Sequence, residues 1–125
     1  MARPTFAQIN LAALAANLAK VRERAPRAQV LAVVKAEAYG HGLIRVLPAL
    51  AEADGLALLE LDAAIRLREQ RYSRRILLLE GFFETRELPE IAGARIAVVV
   101  HQLEQAAMLE RAVLERPLEV FVKVD

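Results

Sequence analysis

The hydrophobic and polar positions along the chain follow two alternating patterns. Short apolar runs, typical of strands buried on both faces, recur between segments whose apolar residues have helical spacing. Strands are predicted over residues 29–35, 56–59, 76–79, 95–100 and 118–124, with a weaker one over 5–9. Helices are predicted over 11–24, 43–53, 61–71, 86–91 and from 101 or 102 to about 116. Strand and helix alternate with a period of roughly 20 to 25 residues, which indicates a parallel α/β sheet.

Single residues refine the predicted helix ends. Asn10 is a suitable N-cap for the helix over 11–24. Pro48 is expected to bend the second helix or end it early, because proline has no backbone N–H to donate. Arg68 occupies the next position on the apolar stripe of the helix over 61–71, so that stripe is short. The last helix has its predicted apolar positions at Leu103, Ala106, Ala107, Leu109 and Leu114.

Two architectures fit a parallel α/β pattern: an open doubly wound sheet and a (β/α)8 TIM-type barrel of about 250 residues. The barrel is favoured because no Gly-x-Gly-x-x-Gly motif follows any predicted strand. In both architectures ligand chemistry gathers at the carboxyl ends of the strands, where Lys35 and Lys123 fall. A chain that stops after an uncovered strand would leave apolar faces and an open edge. The sequence therefore predicts the N-terminal portion of a barrel in a longer protein.

Composition excludes several classes of protein. The chain has no cysteine, so disulfides and thiolate metal sites are ruled out, and a reducing, cytoplasmic location fits. The formal net charge of +1, with both signs interspersed, gives no indication of a nucleic-acid or anionic-membrane surface. No apolar run approaches the roughly 20 residues that cross a bilayer. His41 and His101 are isolated from metal-spaced carboxylates, so no metal site is predicted.

Lys35 ends the apolar run 30–34 and is the main candidate for chemistry. Only three of the seventeen basic residues are lysines, and two of those, Lys35 and Lys123, end apolar strand patterns. Desolvation lowers the pKa of a lysine, and the neutral amine is the nucleophile that forms a Schiff base with an aldehyde. Arginine cannot replace it in that role. From the residues alone, a lysine that extends into solvent at the strand end stays open as the alternative.

The segment 32–42, Ala-Val-Val-Lys-Ala-Glu-Ala-Tyr-Gly-His-Gly, resembles the pyridoxal-phosphate signature of alanine racemases. The likeness covers nearly all 125 residues, including Ala-Gln-Ile-Asn-Leu-Ala-Ala-Leu at 7–14, Ile-Leu-Leu-Leu-Glu-Gly-Phe-Phe at 76–83 and the final Val-Lys-Val-Asp. Glu37 departs from the family pattern, which usually has Asn or Asp at that position. Because this loop residue is not the Schiff-base former, the departure affects fine positioning rather than the assignment.

The resemblance implies a pyridoxal-5'-phosphate-dependent alanine racemase, with residues 1–125 as the N-terminal part of its cofactor-binding barrel domain. By the same resemblance, Lys35 is the Schiff-base lysine and the base on one face of the substrate Cα. Tyr39 would lie near the cofactor phosphate, and Leu79 would line the cofactor pocket, with a plain core position as its alternative. Lys123 matches a lysine that is carbamylated in many members, with a solvated strand-end lysine as its alternative.

The resemblance also implies what this chain lacks. The opposite-face base is a tyrosine from the partner subunit's C-terminal domain, so the full-length protein would be a cytoplasmic homodimer that makes D-alanine for peptidoglycan. Tyr72 falls beyond a helix, on the wrong side of the sheet for that role. The remaining barrel and the C-terminal β-domain are absent, so residues 1–125 alone are expected to be inactive. The alternatives are another pyridoxal-phosphate racemase or decarboxylase of the same fold, or a non-catalytic pyridoxal-phosphate-binding barrel.

Four further features receive structural interpretations. Glu60 and Glu80 each end a strand, so they are expected to face the same mouth and to support loops. His41 is expected to hydrogen-bond the backbone of its own loop. The pair Phe82-Phe83 is interpreted as a packing or dimer contact.

Overall fold

The computed structural model describes residues 3–125. Its five strands are β1 Leu31–Val33, β2 Gly55–Leu58, β3 Arg75–Leu78, β4 Ala97–Val100 and β5 Val120–Val122. They form one sheet in the order β1-β2-β3-β4-β5, and every neighbouring pair is parallel. The prediction of a parallel α/β sheet is confirmed. A doubly wound sheet reverses its strand order part-way along, whereas these strands follow chain order without a reversal.

The helices are α1 Leu11–Arg24, α2 Lys35–Tyr39, α3 Leu43–Val46, α4 Leu61–Glu69, α5 Leu88–Gly93 and α6 Leu103–Arg111. The predicted bounds and cap of α1 are confirmed: the Asn10 side chain accepts a hydrogen bond of 2.9 Å from the Ala13 amide. The predicted effect of Pro48 is also confirmed, because α3 gives way to a 3-10 turn over Leu47–Leu50. A second 3-10 turn, Thr85–Glu87, precedes α5.

The two faces of the sheet are packed differently. Alternate strand residues on one face join the main core beneath the helices, for example Leu56, Ile76 and Val98, which are fully buried. The other face, called the inner face below, carries a smaller apolar cluster made of Ala57, Leu77, Ala97 and Val99 with Leu31 and Leu79 packed against it. Side chains of a strand alternate between faces, so this division fixes the face on which each residue near a strand end lies.

The predicted strand over 5–9 is wrong. In the described chain these residues form no strand, and Phe6 is 84% exposed. A strand exists only when another strand accepts and donates its backbone hydrogen bonds, and the sheet described here begins at β1. The weak alternation over 5–9 contains no information about a pairing partner.

The predicted last helix is correct in its start and wrong in its end, and its predicted apolar face is correct only in part, because Leu109 and Leu114 pack against the main core. α6 stops at Arg111 rather than near residue 116. Leu103 is 87% exposed, whereas Gln105 is 5% exposed. Gln105 is buried because both ends of its amide find backbone partners, which an apolar stripe does not reveal.

Arg68 interrupts the apolar stripe of α4 for a structural reason. Its guanidinium donates four hydrogen bonds of 2.7–2.8 Å to backbone carbonyls, those of Tyr72, Arg74, Ala94 and Arg95. These carbonyls belong to the turns that follow α4 and α5 and lead into β3 and β4. One side chain therefore ties two successive connections together at the amino ends of the strands.

Candidate active site

The carboxyl ends of the strands bring the predicted site residues to one end of the sheet. The parallel ladder extends past each strand: the Val34 amide donates to the Ala57 carbonyl at 2.8 Å, and the Lys123 amide donates to the Val100 carbonyl at 2.9 Å. Lys35 follows Val34 at this end, where the backbone has left the extended conformation, and Leu31, earlier in β1, packs on the inner face.

Leu79 and Lys123 share that face and that end. Leu79 packs directly against the inner cluster. Phe121 pairs with Val99, an inner-face residue, so alternation along β5 places Lys123 on the inner face too. Lys35, Leu79 and Lys123 thus follow β1, β3 and β5, with β2 and β4 between them.

The two lysines differ in their surroundings. Lys35 is half-buried, and in the part of the chain that the structure describes no ion pair engages it. The Lys123 side chain is 54% exposed, and its ammonium lies 3.5 Å from the Asp125 carboxylate. Lys123 is therefore the more solvated of the two amines, and Lys35 is the one whose position has no electrostatic partner to explain it.

The segment after Lys35 forms a left-handed helical turn. Residues 36–39 have φ between 52° and 57°, in the left-handed region, although none is glycine. Each such residue costs on the order of 1–3 kcal/mol, and strain of this kind clusters at functional sites. Local backbone bonds of 2.8–2.9 Å hold the turn, from the Ala38, Gly40 and Gly42 amides to the carbonyls of Val34, Ala36 and Glu37.

The side chains of Glu37 and His41 add to this turn. The Glu37 carboxylate accepts a hydrogen bond from the Arg66 guanidinium and another, 3.1 Å long, from the Leu43 amide. The hydrogen bond from Arg66, more than that from Leu43, holds the pKa of Glu37 below its usual value. His41 bonds the backbone as expected, with its Nδ1 donating to the Ala38 carbonyl at 2.8 Å.

Tyr39 lies beside α1. Its side chain is 59% exposed and lines a cavity of about 380 Å³ between α1 and the turn, opposite Leu14 and Asn17. Lys35 and Leu79 do not line this cavity within residues 3–125. The structure therefore brings Lys35 and Leu79 to one end of the sheet, and places Tyr39 at the same end beside α1.

The loops after β2 and β3 also meet at this end. Glu60 and Glu80 line one open depression, in agreement with the expectation that they face the same mouth. Phe82 is 2% exposed and belongs to the main core, whereas Phe83 is 67% exposed. The interpretation of the pair as packing therefore applies to Phe82.

Gln105 is the residue of this end that the sequence interpretation missed. Its side-chain carbonyl accepts from the His101 amide at 2.8 Å, and its Nε2 donates to the carbonyls of Glu80 and Phe82 at 3.0 and 3.2 Å. It thus fixes the loop that follows Leu79. The only signal in the sequence is a glutamine two positions into an otherwise mixed helix, which no spacing rule distinguishes from a solvent-facing residue.

Tyr72 lies at the opposite end of the sheet, among residues that precede the strands. It shares a surface depression with Asp54, Arg74 and Glu119. Its hydroxyl is buried and has no hydrogen-bond partner within the described residues, and burial raises its pKa. Tyr72 is therefore far from the end of the sheet that carries Lys35.

Two further observations concern the described residues as a whole. Between residues 3 and 125, no three His, Cys, Asp or Glu side chains are grouped so that they could hold a metal ion. In the same range, no helix combines the length and the hydropathy needed to cross a bilayer.

Comparison with known proteins identifies the family. Residues 9–125 match the family described as alanine racemase, N-terminal domain. The chain belongs to the alanine racemase family. It is 57% identical over its whole length to the alanine racemase of Nitrosospira multiformis, of which it covers 35%. The chain thus spans about a third of the length of the curated relatives it matches.

Solved structures of the family share the fold. The biosynthetic alanine racemase of Pseudomonas aeruginosa superposes with a TM-score of 0.83 at 42% identity, over 88% of this chain and 31% of that one. A histidine racemase from Leuconostoc mesenteroides has a TM-score of 0.70 at 27% identity, over 78% of this chain and 27% of that one. The predicted fold class, the N-terminal portion of a TIM-type (β/α) barrel, is confirmed.

Proposed function

We propose that this chain provides the catalytic lysine and part of the cofactor site of an enzyme that interconverts L- and D-alanine with pyridoxal 5'-phosphate. One observation carries the proposal: Lys35 is half-buried directly after the end of β1, at the end of the sheet that also carries Leu79 and Lys123, without an ion pair among the described residues. It also begins a strained left-handed turn in a chain of the alanine racemase family.

The residues present fit the cofactor. An aldehyde needs an amine that is free to react, and Lys35 is not held in an ion pair within residues 3–125. Lys35 would hold pyridoxal phosphate covalently, Leu79 would contact it from the inner face, and Tyr39 would lie near its phosphate. When bound, the cofactor withdraws electrons from the substrate Cα, so that the Cα proton can be removed.

The role of Lys35 is to accept the Cα proton on its Nζ from one face of the substrate. Racemisation also requires a proton donor on the opposite face. Tyr72 cannot supply it, because it lies at the amino ends of the strands and its hydroxyl is buried there. We propose a tyrosine of a partner subunit for this role, which makes the working enzyme a homodimer.

We also propose Lys123 as a carbamylated lysine. Its place on the inner face, at the same end as Lys35, supports the proposal. Carbamylation joins carbon dioxide to a neutral amine and releases a proton, so the reaction requires the Lys123 ammonium to leave Asp125, 3.5 Å away. Carbon-13 NMR of the protein in labelled bicarbonate would show the carbamate, and the Lys123→Arg variant would lack that signal.

Family membership supports the remaining parts of the proposal. Residues 1–125 would form the N-terminal part of the barrel domain, and the rest of the barrel and a C-terminal β-domain would be needed for turnover, so this chain alone would not racemise alanine. The enzyme would work in the cytoplasm and supply D-alanine for peptidoglycan.

A racemase for another amino acid is the second candidate function. The similarity to a histidine racemase favours it, because that protein shares the fold with this chain. The higher identity to the Nitrosospira multiformis protein favours alanine. A decarboxylase of the same fold and a non-catalytic pyridoxal-phosphate-binding barrel are two more candidates, and the experiment below distinguishes them as well.

The test is a chimera in which this chain replaces the matching third of the Nitrosospira multiformis alanine racemase. We expect the chimera to racemise L-alanine faster than L-histidine and to decarboxylate neither. Lys35→Ala should lower kcat at least a thousandfold (~10³), because the covalent site is lost. The matched control is Lys20→Ala, which removes an exposed lysine that pairs with Glu23 on α1. Full activity of the Lys35→Ala chimera would overturn the proposed function.

A further inference from the structure

Glu37 lies at the centre of the left-handed turn, two residues after Lys35 and two before Tyr39. We propose that Glu37 is a positioning residue: its carboxylate, shared between the Arg66 guanidinium and the Leu43 amide, fixes the turn and with it the directions in which Lys35 and Tyr39 leave the backbone. This inference rests on the proposed function, because it assigns a task to that same site.

The left-handed turn is held both by its own backbone and by contacts with the rest of the fold. The backbone hydrogen bonds within it join residues 34 to 42 to one another and close the turn, while the Val34 amide, bonded to Ala57, and the buried Ala38 attach its inner side to the fold. The Glu37 side chain reaches Arg66, which is 29 positions away in the sequence and lies on α4. It therefore orients a strained segment from outside.

Arg66 and Leu43, the two partners of the Glu37 carboxylate, both belong to packed helices. Arg66 is on α4, whose Ala64 and Leu67 are fully buried in the main core. Because α4 is packed into the core, the backbone that carries the Arg66 guanidinium is held in place. The other bond of the carboxylate, from the Leu43 amide, links the turn to α3, where Leu43 is 1% exposed. Glu37 thus connects the turn to two packed helices at once.

The Glu37–Arg66 pair is expected to affect the position of Lys35 more than the stability of the fold. The side chains of Arg66 and Glu37 are 49% and 55% exposed, and ion pairs this exposed add little to the free energy of unfolding. The left-handed turn, by contrast, is an intrinsically unfavourable backbone conformation that persists only while surrounding contacts hold it. Loss of the pair should therefore change how often Lys35 is correctly placed, with little change in global stability.

The experiment is a double-mutant cycle in the chimera with Glu37→Gln, Arg66→Gln and the double variant. Gln at position 37 keeps an acceptor for the Leu43 amide and removes the ion pair. We expect each single variant to lower kcat about fivefold and the double variant to lower it no further, because both remove one interaction. KM for alanine and the unfolding midpoint should stay at the values of the unchanged chimera. The charge-swapped variant Glu37→Arg with Arg66→Glu should recover part of kcat.

The matched control is the Lys20–Glu23 pair, an exposed ion pair of 3.3 Å on α1. The same cycle on that pair should leave kcat unchanged. Unchanged kcat in the Glu37 and Arg66 variants, losses that add in the double variant, or a fall in unfolding midpoint that accounts for the lost activity would each overturn the inference. A chimera that keeps its activity as Lys35→Ala would instead overturn the proposed function, so the two failures are distinguishable.

Discussion

The two ends of the sheet differ in how their basic side chains are engaged. At the amino ends of the strands the arginines are engaged: Arg68 donates to four backbone carbonyls, Arg74 donates to those of Ala51 and Ala53, and Arg75 pairs with Glu119. At the carboxyl ends, Lys35 has no ion pair within the described residues and leads into a strained turn. The amino end is held by arginines that each donate to several acceptors, whereas the carboxyl end combines the exposed Arg66–Glu37 and Lys123–Asp125 pairs with the amine of Lys35.

The chemistry of the two side chains explains this division. The planar guanidinium of arginine offers five fixed donors and stays charged, which suits it to satisfying several carbonyls at once. Lysine offers an amine that can lose its proton and react. The comparison suggests a general lesson for parallel sheets: stability is concentrated at the amino ends, so that the carboxyl ends can tolerate strain.

On the inner face, the hydrogen bonds at the amino ends of the strands centre on Arg75. Gln29, Arg75 and Glu119 come from the segments of β1, β3 and β5, as expected for one layer of a barrel, in which alternate strands contribute side chains. Arg75 donates to Gln29 at 2.6 Å and to Glu119 at 3.1 Å, and its guanidinium lies 5.9 Å from the centre of the Phe121 ring. This layer lies on the same face as Leu79 and Lys123, at the opposite end of the strands.

The largest expected effect is at Arg68. Arg68→Met should lower the free energy of unfolding by about 3 kcal/mol, because four carbonyls lose a charged donor. Lys35→Met, at the opposite end, should change it by less than about 0.5 kcal/mol. Denaturant unfolding of the two variants measures both values. Equal losses at the two positions would break the comparison between the ends.

Gln105 tests whether side-chain hydrogen bonds also stabilise the carboxyl end of the sheet. Gln105→Met keeps the volume but leaves three backbone groups unpaired, and it should cost about 2 kcal/mol. The matched control is Gln102→Met, because Gln102 is exposed and its side chain makes no capping bond. Denaturation midpoints compare the two, and a loss at Gln102 as large as that at Gln105 would contradict the assigned role.

A substitution of Tyr72, also at the amino end, is expected to preserve or raise stability, unlike the substitution of Arg68. Its hydroxyl is buried without a partner among the described residues, so Tyr72→Phe should leave stability unchanged or raise it by up to about 1 kcal/mol. Thermal unfolding of Tyr72→Phe beside Tyr39→Phe, where the side chain is exposed, provides the measurement. A clear loss of stability in Tyr72→Phe alone would show that the hydroxyl is satisfied after all.

The smallest expected effect is the acid dependence that comes from Asp54. The Val30 amide, at 2.7 Å, and Arg22, at 2.9 Å, hold the pKa of Asp54 below its usual 3.8. A carboxyl whose pKa is lower in the folded state stabilises the fold above pH 3.8, and this contribution is lost as the pH falls through the lowered pKa.

Asp54→Asn should therefore be less stable than the unchanged chain at neutral pH, and the gap should close as the pH falls below 3.8. Unfolding midpoints measured between neutral and acid pH follow the gap. Asp62→Asn, at an exposed carboxyl of α4, is the control. A gap that stays constant with pH would contradict the assignment.

The sequence predicted the parts of the fold that depend on local or periodic information. The Asn10 cap and the helix it starts, the five parallel strands and the effect of Pro48 all follow from residue type and spacing. The strand over 5–9 failed because pairing is decided by a partner, and Gln105 was missed because its partners lie on a different loop. Arg68 looked like a break in an apolar stripe for the same reason.

The site was predictable in outline and not in conformation. The position of Lys35 at a strand end follows from the apolar run before it, and the parallel order brings Leu79 and Lys123 to the same end. The left-handed turn was not predictable, because Ala36, Glu37 and Ala38 are residues that avoid positive φ. The contacts around the turn, such as the burial of Ala38 in the main core and the hydrogen bond from Arg66, come from residues distant in sequence.

The most direct test of the account is to find which amine reacts with the aldehyde. The full chain, alone and in the chimera, is incubated with pyridoxal phosphate, reduced with borohydride, digested and mapped by mass spectrometry. The chain has three lysines, Lys20, Lys35 and Lys123, and the labelled peptide identifies which of them reacted. The account predicts that Lys35 carries the label well ahead of the other two. A label on Lys20, or an even spread over all three, would contradict it.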